Sequence, residues 1–324
     1  MKRLWYGGKI YTMEKENETV EAILVEDDRI IATGTFNELS NLADEFINWD
    51  GAAMYPGFVD SHLHMIFQGE KLTRLDLSKA ASAEEMLDMV KAAAKTTPPD
   101  QWLFGEGWNE NNFADQRIPT IQELDAIRKE PIVLTRICHH VILGNTAALE
   151  AGRIFGDSKS PAGGEIGRDE QGTLNGLLYD LATNSVTEAI PREGEAYIES
   201  LTDSLNLAID EMLSYGLTGG HTEDMSYFGK FSNPLTAFHR VVGEKHHFRV
   251  TLLRHNAVFE KMMKANVTFD EPFIEPGAMK IFVDGALGGA TAALSKPYSD
   301  QPNNRGLLIQ TNEELEALVK LARQ

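Results

Sequence analysis

Two histidines, His62 and His64, stand two residues apart at the end of the run Tyr55-Pro-Gly-Phe-Val-Asp-Ser-His-Leu-His64. Residues i and i+2 of a strand point to one face. If Phe58–His64 is a strand, both imidazoles and the Asp60 carboxylate can share one side at its C-terminal end. Neutral imidazoles at that spacing suit a borderline-soft divalent metal such as zinc. The plainer reading is a pair of partly buried histidines with no ligand. The surroundings favour the metal reading, since a Pro-Gly turn precedes an apolar strand and a helix-like stretch follows it.

Lys280 is the second unusual residue. It sits in Met279-Lys-Ile-Phe-Val-Asp284-Gly-Ala-Leu-Gly-Gly289, an apolar run where burying an ammonium is costly unless it is paired or neutralised. Strand alternation predicts Lys280, Phe282 and Asp284 on one face, so a simple Lys280–Asp284 pair is the competing explanation. The glycines that follow permit close backbone approach to a ligand, or merely a tight turn. A third polar strand end is Leu217-Thr-Gly-Gly-His221-Thr-Glu223, where His221 could bind metal, hold substrate or shuttle a proton. It could equally be a hydrogen-bonded histidine at a barrel rim. Arg136-Ile-Cys-His139-His140 ends another strand-like run, and one of its histidines can line a pocket. His239, His246, His247 and His255 lack supporting patterns and read as surface or packing residues.

These groups need elements to hold them. Residues 1–54 read as short strands: Lys9–Met13, then Val20–Val25 and Arg29–Ala32 around a Glu-Asp-Asp hairpin turn, with a short helix over Phe36–Phe46. From Tyr55 the pattern becomes apolar strands alternating with helices, the signature of parallel βα units. Strands are predicted at Met54–His62, Leu217–Thr222, Phe248–His255 and Ala278–Asp284. Helices are predicted at Ser82–Thr96 with Ser82 as N-cap, at Ala196–Tyr215 along a Leu201, Leu205, Ile209, Leu213 stripe, and at Glu313–Arg323. The interruption at about 98–191, with strand-like Trp102–Gly105 and Ile132–Ile137, is too long for an ordinary loop and reads as an inserted subdomain.

Composition narrows the functional classes. The chain has 324 residues, 42% hydrophobic and 24% charged, which is ordinary for a globular protein. A formal charge of −19 argues against a nucleic-acid partner. The single cysteine, Cys138, excludes an internal disulfide and fits a reducing compartment. No signal-peptide core and no membrane-length apolar run occur, so the expected location is cytoplasmic, with no membrane partner.

Several segments together resemble the metal-dependent amidohydrolase superfamily, in the branch of YtcJ-like hydrolases and N-substituted formamide deformylase (amidohydrolase 3 type). They are Pro56–His64, Gly105–Asn109, Asn145–Leu149, Gly163–Ile166 with Gly176–Leu178, Gly216–Thr218 with His221, and Lys280–Leu294. They run through nearly the whole chain. The resemblance implies an α/β fold: a (β/α) TIM barrel of which about the first half is present, with residues 1–54 as an N-terminal β-sandwich portion and 55–324 as the partial barrel. It implies a divalent metal, zinc, as one or two ions, held by His62, His64 and a carboxylated Lys280. Asp60, His140, His221 and Asp284 would lie near the substrate or behind the ligands. The implied activity is hydrolysis of a non-peptide amide or formamide C–N bond in a small molecule. Deamination of a heterocycle is the nearest alternative, and an inactive half-barrel or binding module is another. Members of the family draw two further histidines and a catalytic aspartate from later strands, and no histidine follows His255. The expectation is therefore a truncated form that self-associates through its incomplete barrel.

Overall fold

The computed structural model describes residues 1–99, 101–243, 245–269, 271–285, 287 and 291–323. The chain opens with β1 (Lys2–Tyr11), β2 (Thr19–Glu26), β3 (Arg29–Gly34), α1 (Phe36–Leu39), β4 (Glu45–Asn48) and β5 (Ala53–Met54). These strands form one five-stranded sheet in the order β3-β2-β1-β4, with β5 also paired to β1. The expected β-sandwich portion is thus a single sheet among the described residues. Asp27 turns the β2–β3 hairpin at φ 54°, a conformation aspartate tolerates better than most residues. The helix predicted over Phe36–Phe46 is shorter: the Thr35–Glu38 capping box starts it, and Glu45–Asn48 leaves it to pair with β1. Leu4, Ala22, Leu24 and Leu39 make the small core that this segment buries.

β6 (Phe58–Leu63) and α2 (Met65–Thr73) come next, followed by a second sheet. Its elements are β7 (Leu75–Asp76), α3 (Ala83–Ala94), β8 (Leu103–Trp108), α4 (Ile121–Ile127), β9 (Ile132–Arg136), β10 (Val141–Gly144), α5 (Thr146–Ala151), β11 (Gly164–Arg168), β12 (Leu174–Asp180) and α6 (Asn184–Thr187). The six strands run in the order β11-β12-β10-β9-β8-β7. Alternate residues feed two cores on opposite faces. Ile132, Leu134 and Leu143 pack with α3, while Val133, Ile142 and Leu178 pack with α5. The sheet begins at Leu75, ahead of the expected boundary near 98, and it claims α3. Helix periodicity identifies the face a helix buries but not the sheet it is buried against, which is why the sequence placed α3 beside the barrel strands.

The chain then forms α7 (Glu195–Ser214), β13 (Leu217–Thr222), α8 (Ser232–Val241), β14 (Arg249–His255), α9 (Asn256–Lys264), β15 (Ile274–Lys280) and α10 (Asn312–Leu321). β13, β14 and β15 join the earlier β6 in a four-stranded parallel sheet of order β15-β14-β13-β6. Its core packs α2 and α7 through Met65, Ile66, Leu201, Leu205 and Ile209 against Phe248, Val250 and Leu252. At 100° per residue Leu213 is about 120° off the Leu201 direction, whereas Met212 is about 20° off. Accordingly Met212 is buried and Leu213 is exposed.

β15 differs from the predicted Ala278–Asp284. Pro276 lacks an N–H, and a proline within a strand is tolerated at a sheet edge, which is where β15 lies. The strand therefore includes the Pro-Gly pair and ends at Lys280. Phe282 and Asp284 lie beyond it, so alternation does not put them on the face of Lys280.

Candidate active site

Of the polar residues singled out from the sequence, His62, His64, His221 and Lys280 lie at or near the C-terminal ends of the parallel strands, where βα architectures assemble their chemistry. His62 is the penultimate residue of β6, and His64 follows its end as the N-cap position of α2. Their rings are 5.8 Å apart, centroid to centroid, and nearly perpendicular. His62 is exposed and His64 half-buried. The Nδ1 of His64 is hydrogen-bonded to the backbone carbonyl of Glu223. A carbonyl can only accept, so Nδ1 carries the proton, and in the neutral ring the Nε2 lone pair is left free. This is the tautomer an Nε2 metal ligand requires.

Two acidic residues that follow β13 lie against His64 and the start of α2. Glu223 and Asp224 are fully buried, and Glu223 Oε2 and Asp224 Oδ1 have no hydrogen-bond partner. Asp224 Oδ2 accepts from the backbone N–H of Met65 at 3.1 Å and from the hydroxyl of Thr222. Burial pushes the Asp224 carboxyl up to about 7, against the hydrogen bond from Thr222. Burial, followed by the hydrogen bond to Glu223, pushes Tyr227 up to about 12. No role for Glu223, Asp224 or Tyr227 is expected from the sequence. Their signal was present: two consecutive carboxylates directly after the strand Leu217–Thr222.

A line of rings crosses the strand ends. From His64 it passes to Tyr227 at 5.6 Å, from Tyr227 to His255 at 6.3 Å and from His255 to Phe282 at 5.4 Å. The Lys280 ammonium lies 5.0 Å from the centre of the Phe282 ring. His255, expected to be a surface or packing residue, is the last residue of β14 and pairs with Lys280 of β15. It shares with Lys280 the strand-end position that had singled out the lysine. Its Nδ1 accepts from the Ala257 N–H at 3.0 Å, so the neutral ring has its proton on Nε2, the reverse of His64.

Lys280 itself stands on the edge strand opposite β6, with β13 and β14 between them. It and the two histidines are therefore not on neighbouring strands. Only curvature of the sheet toward a barrel axis can bring their tips together. His221, on β13, is half-buried and sits where the β13–β6 register shifts, between the pairs Gly220–Asp60 and Thr222–Leu63. Asp60 is exposed and accepts from the His62 backbone N–H at 3.0 Å, which occupies one of its oxygens on its own strand. Asp284 accepts from the Ala293 N–H at 2.9 Å and pins the segment after β15. Ala286 and Gly288–Ala290, within the Lys280–Leu294 run, lie outside the described residues. His140 lies in the turn between β9 and β10 of the six-stranded sheet, exposed, with Nδ1 3.3 Å from Asp180.

The donor chemistry suits a divalent cation. One imidazole presents a defined lone pair, and two buried acidic side chains beside it each keep one oxygen without a hydrogen-bond partner. Among the described residues, however, no cluster of three or more His, Cys, Asp or Glu side chains has metal-binding geometry. The histidine pair needs a further donor, and Lys280 cannot supply one as an ammonium, which has no lone pair.

A family model described as the amidohydrolase family matches residues 45–324. The chain belongs to this family. Over its full length it is 41% identical to the Bacillus subtilis (strain 168) protein named amidohydrolase YtcJ, and it spans 62% of that protein. It is 28% identical to N-substituted formamide deformylase of Arthrobacter pascens, over 86% of this chain and 54% of the enzyme. Among solved structures, a metal-dependent hydrolase from Pyrococcus furiosus superposes with a TM-score of 0.81 at 25% identity. That match covers all of this chain and 65% of the archaeal one. A second, from Pyrococcus horikoshii OT3, gives 0.78 at 26% identity. The chain thus spans less than two thirds of the relatives it matches, and the α/β architecture expected from the sequence agrees with theirs. No helix among its described residues is long and apolar enough to cross a membrane.

Proposed function

We propose that this polypeptide carries the first part of the active site of a metal-dependent hydrolase acting on a non-peptide C–N bond, an amide or formamide, in a small molecule. The four-stranded parallel sheet is read as part of the family's (β/α) barrel. One observation carries the proposal: the His64 imidazole, on a family-matching His-x-His pair, is held with Nδ1 protonated and Nε2 free at the C-terminal end of a parallel strand. A divalent cation, for which zinc is the first choice, supplies Lewis acidity toward a carbonyl and brings the pKa of water toward neutrality.

The protein's own groups do the rest. His62 and His64 present nitrogen lone pairs from β6. Lys280 offers a further donor once its amine is carboxylated, and His255 beside it has an Nε2–H to give to an anionic oxygen. His221 and Asp60 border the same strand ends and are assigned to the substrate side. Phe67 and Tyr227 pack their rings against His64, and Phe282 packs against His255 and Lys280. The relative named for N-substituted formamide hydrolysis supports the choice of bond.

The test is elemental analysis of protein purified without chelators, together with release of formate or amine from N-substituted formamides. Wild type should hold metal, and the His62→Ala/His64→Ala double variant should lose it along with any hydrolysis. Metal content unchanged in the double variant would remove the histidines from the site and with them the proposal.

A further inference from the structure

We infer that Asp224 is the positioning residue that fixes His64. The inference deepens the functional reading above, since it takes His64 as a ligand through Nε2. α2 begins immediately after His64, and the His64 side chain makes no capping hydrogen bond to it. The orphan donors at this helix start go instead to β13 and the residues just after it. Asp224 Oδ2 accepts from Met65 N–H at 3.1 Å and from Ile66 N–H at 3.5 Å, and Thr222 Oγ1 also lies 3.1 Å from Met65 N. Asp224 is separated from these donors by 158 and 159 positions in the chain, so the bond sets a tertiary relationship and not a local turn.

The neighbouring residue completes the hold. The Glu223 N–H donates to Leu63 O at 3.1 Å, and the Glu223 carbonyl takes the His64 Nδ1 proton. Residues 63 to 66 are therefore held from both sides by residues 222 to 224. Asp224 acts at the hinge of this clamp, because its acceptors set where the backbone leaves His64. A buried carboxylate with one unpartnered oxygen is an expensive way to cap a helix that a serine or asparagine could cap on its own. The acid adds what those residues lack, a group beside the imidazole that carries negative charge in its ionised form, and that form strengthens the Nε2 lone pair toward a cation.

Three measurements on the full chain test the inference: zinc affinity by chelator competition, the His64 ring nitrogen signals by NMR in metal-free protein, and amide exchange at Met65 and Ile66. Asp224→Ala should weaken zinc binding by about 10–100-fold. It should also move the His64 signals from one fixed tautomer toward an average and speed exchange at both amides. Asp224→Asn keeps an acceptor for Met65 and Ile66 without the charge. It should preserve the tautomer and the slow exchange and bind zinc with an affinity between those of Asp224→Ala and wild type. An Asp224→Ala protein with unchanged His64 signals and unchanged zinc affinity overturns the inference, even if it melts earlier. Should Asp224→Ala not fold, Thr222→Val, which removes the hydroxyl that orients Asp224, must shift the His64 signals; no shift overturns the inference equally. If wild type binds no zinc, the functional reading fails, while the metal-free NMR and exchange data still decide whether Asp224 positions His64.

Discussion

His64 donates its Nδ1 proton to the carbonyl of Glu223, a residue 159 positions further along the chain. The bond spans the whole six-stranded sheet in sequence and exists only because β6 pairs with β13. It makes the two histidines of the pair unequal, one locked and one exposed. His64→Ala should therefore cost about 1 kcal/mol of stability from the lost hydrogen bond, and His62→Ala close to none. Both should reduce bound metal. Denaturant melts combined with metal analysis separate the two effects.

Gly69 is where α2 meets α7 backbone to backbone. A Cβ at this position would lie 1.9 Å from the Ser204 carbonyl oxygen and 2.3 Å from its carbon. Alanine has a helix propensity better than that of glycine by about 1 kcal/mol, yet the clash is with main chain that cannot rotate away. Gly69→Ala should destabilise by about 1–3 kcal/mol net. A thermal melt showing stabilisation would mean that α2 can slide on α7 without cost.

Asn145 is completely buried and uses both ends of its amide. Its oxygen accepts from Ile132 N–H at 2.9 Å and Ala148 N–H at 3.1 Å, and its nitrogen donates to the Glu130 carbonyl at 2.9 Å. It caps α5 and ties it to β9 at once. Asn145→Ala strands several buried backbone groups and should cost about 2–4 kcal/mol, read as a fall in urea midpoint with little change in slope.

Burial raises the pKa of Glu70 above the ordinary glutamate value, and the charges of Arg74 and Arg192 only partly oppose this. The folded protein then holds this proton more tightly than the unfolded chain does. Stability from this group is present below the unfolded pKa and declines as pH rises through the folded one. Glu70→Gln should flatten that decline. Melting temperatures for both proteins from pH 4 to pH 8 with the same slope would refute the assignment.

β6 is exposed along most of its length, with Phe58 at 59% and Val59 at 58%. Parallel strands are ordinarily covered on both faces, and an uncovered apolar edge favours association. The chain should form dimers or larger species in solution, and Val59→Lys should shift it toward monomer. Light scattering across a concentration series gives the answer directly.

The candidate site residues were legible because their signals are local. A strand places alternate residues on one face, so His62-Leu63-His64 announced a pair of imidazoles without any partner being known. The Ser82 cap and the strand Leu217–Thr222 were equally readable from their own neighbourhoods. The strand at Ile274–Lys280 was misplaced because Pro276 is acceptable only at a sheet edge, and edges are defined by neighbours. For the same reason α3 was assigned to the wrong sheet. The tautomer of His64, the role of Asp224 and the meeting of His255 with Lys280 depend on contacts between segments far apart in sequence. No periodicity encodes such contacts. A hydrogen bond over 159 positions forms when packing forces two strands into register, and that register is a property of the folded chain.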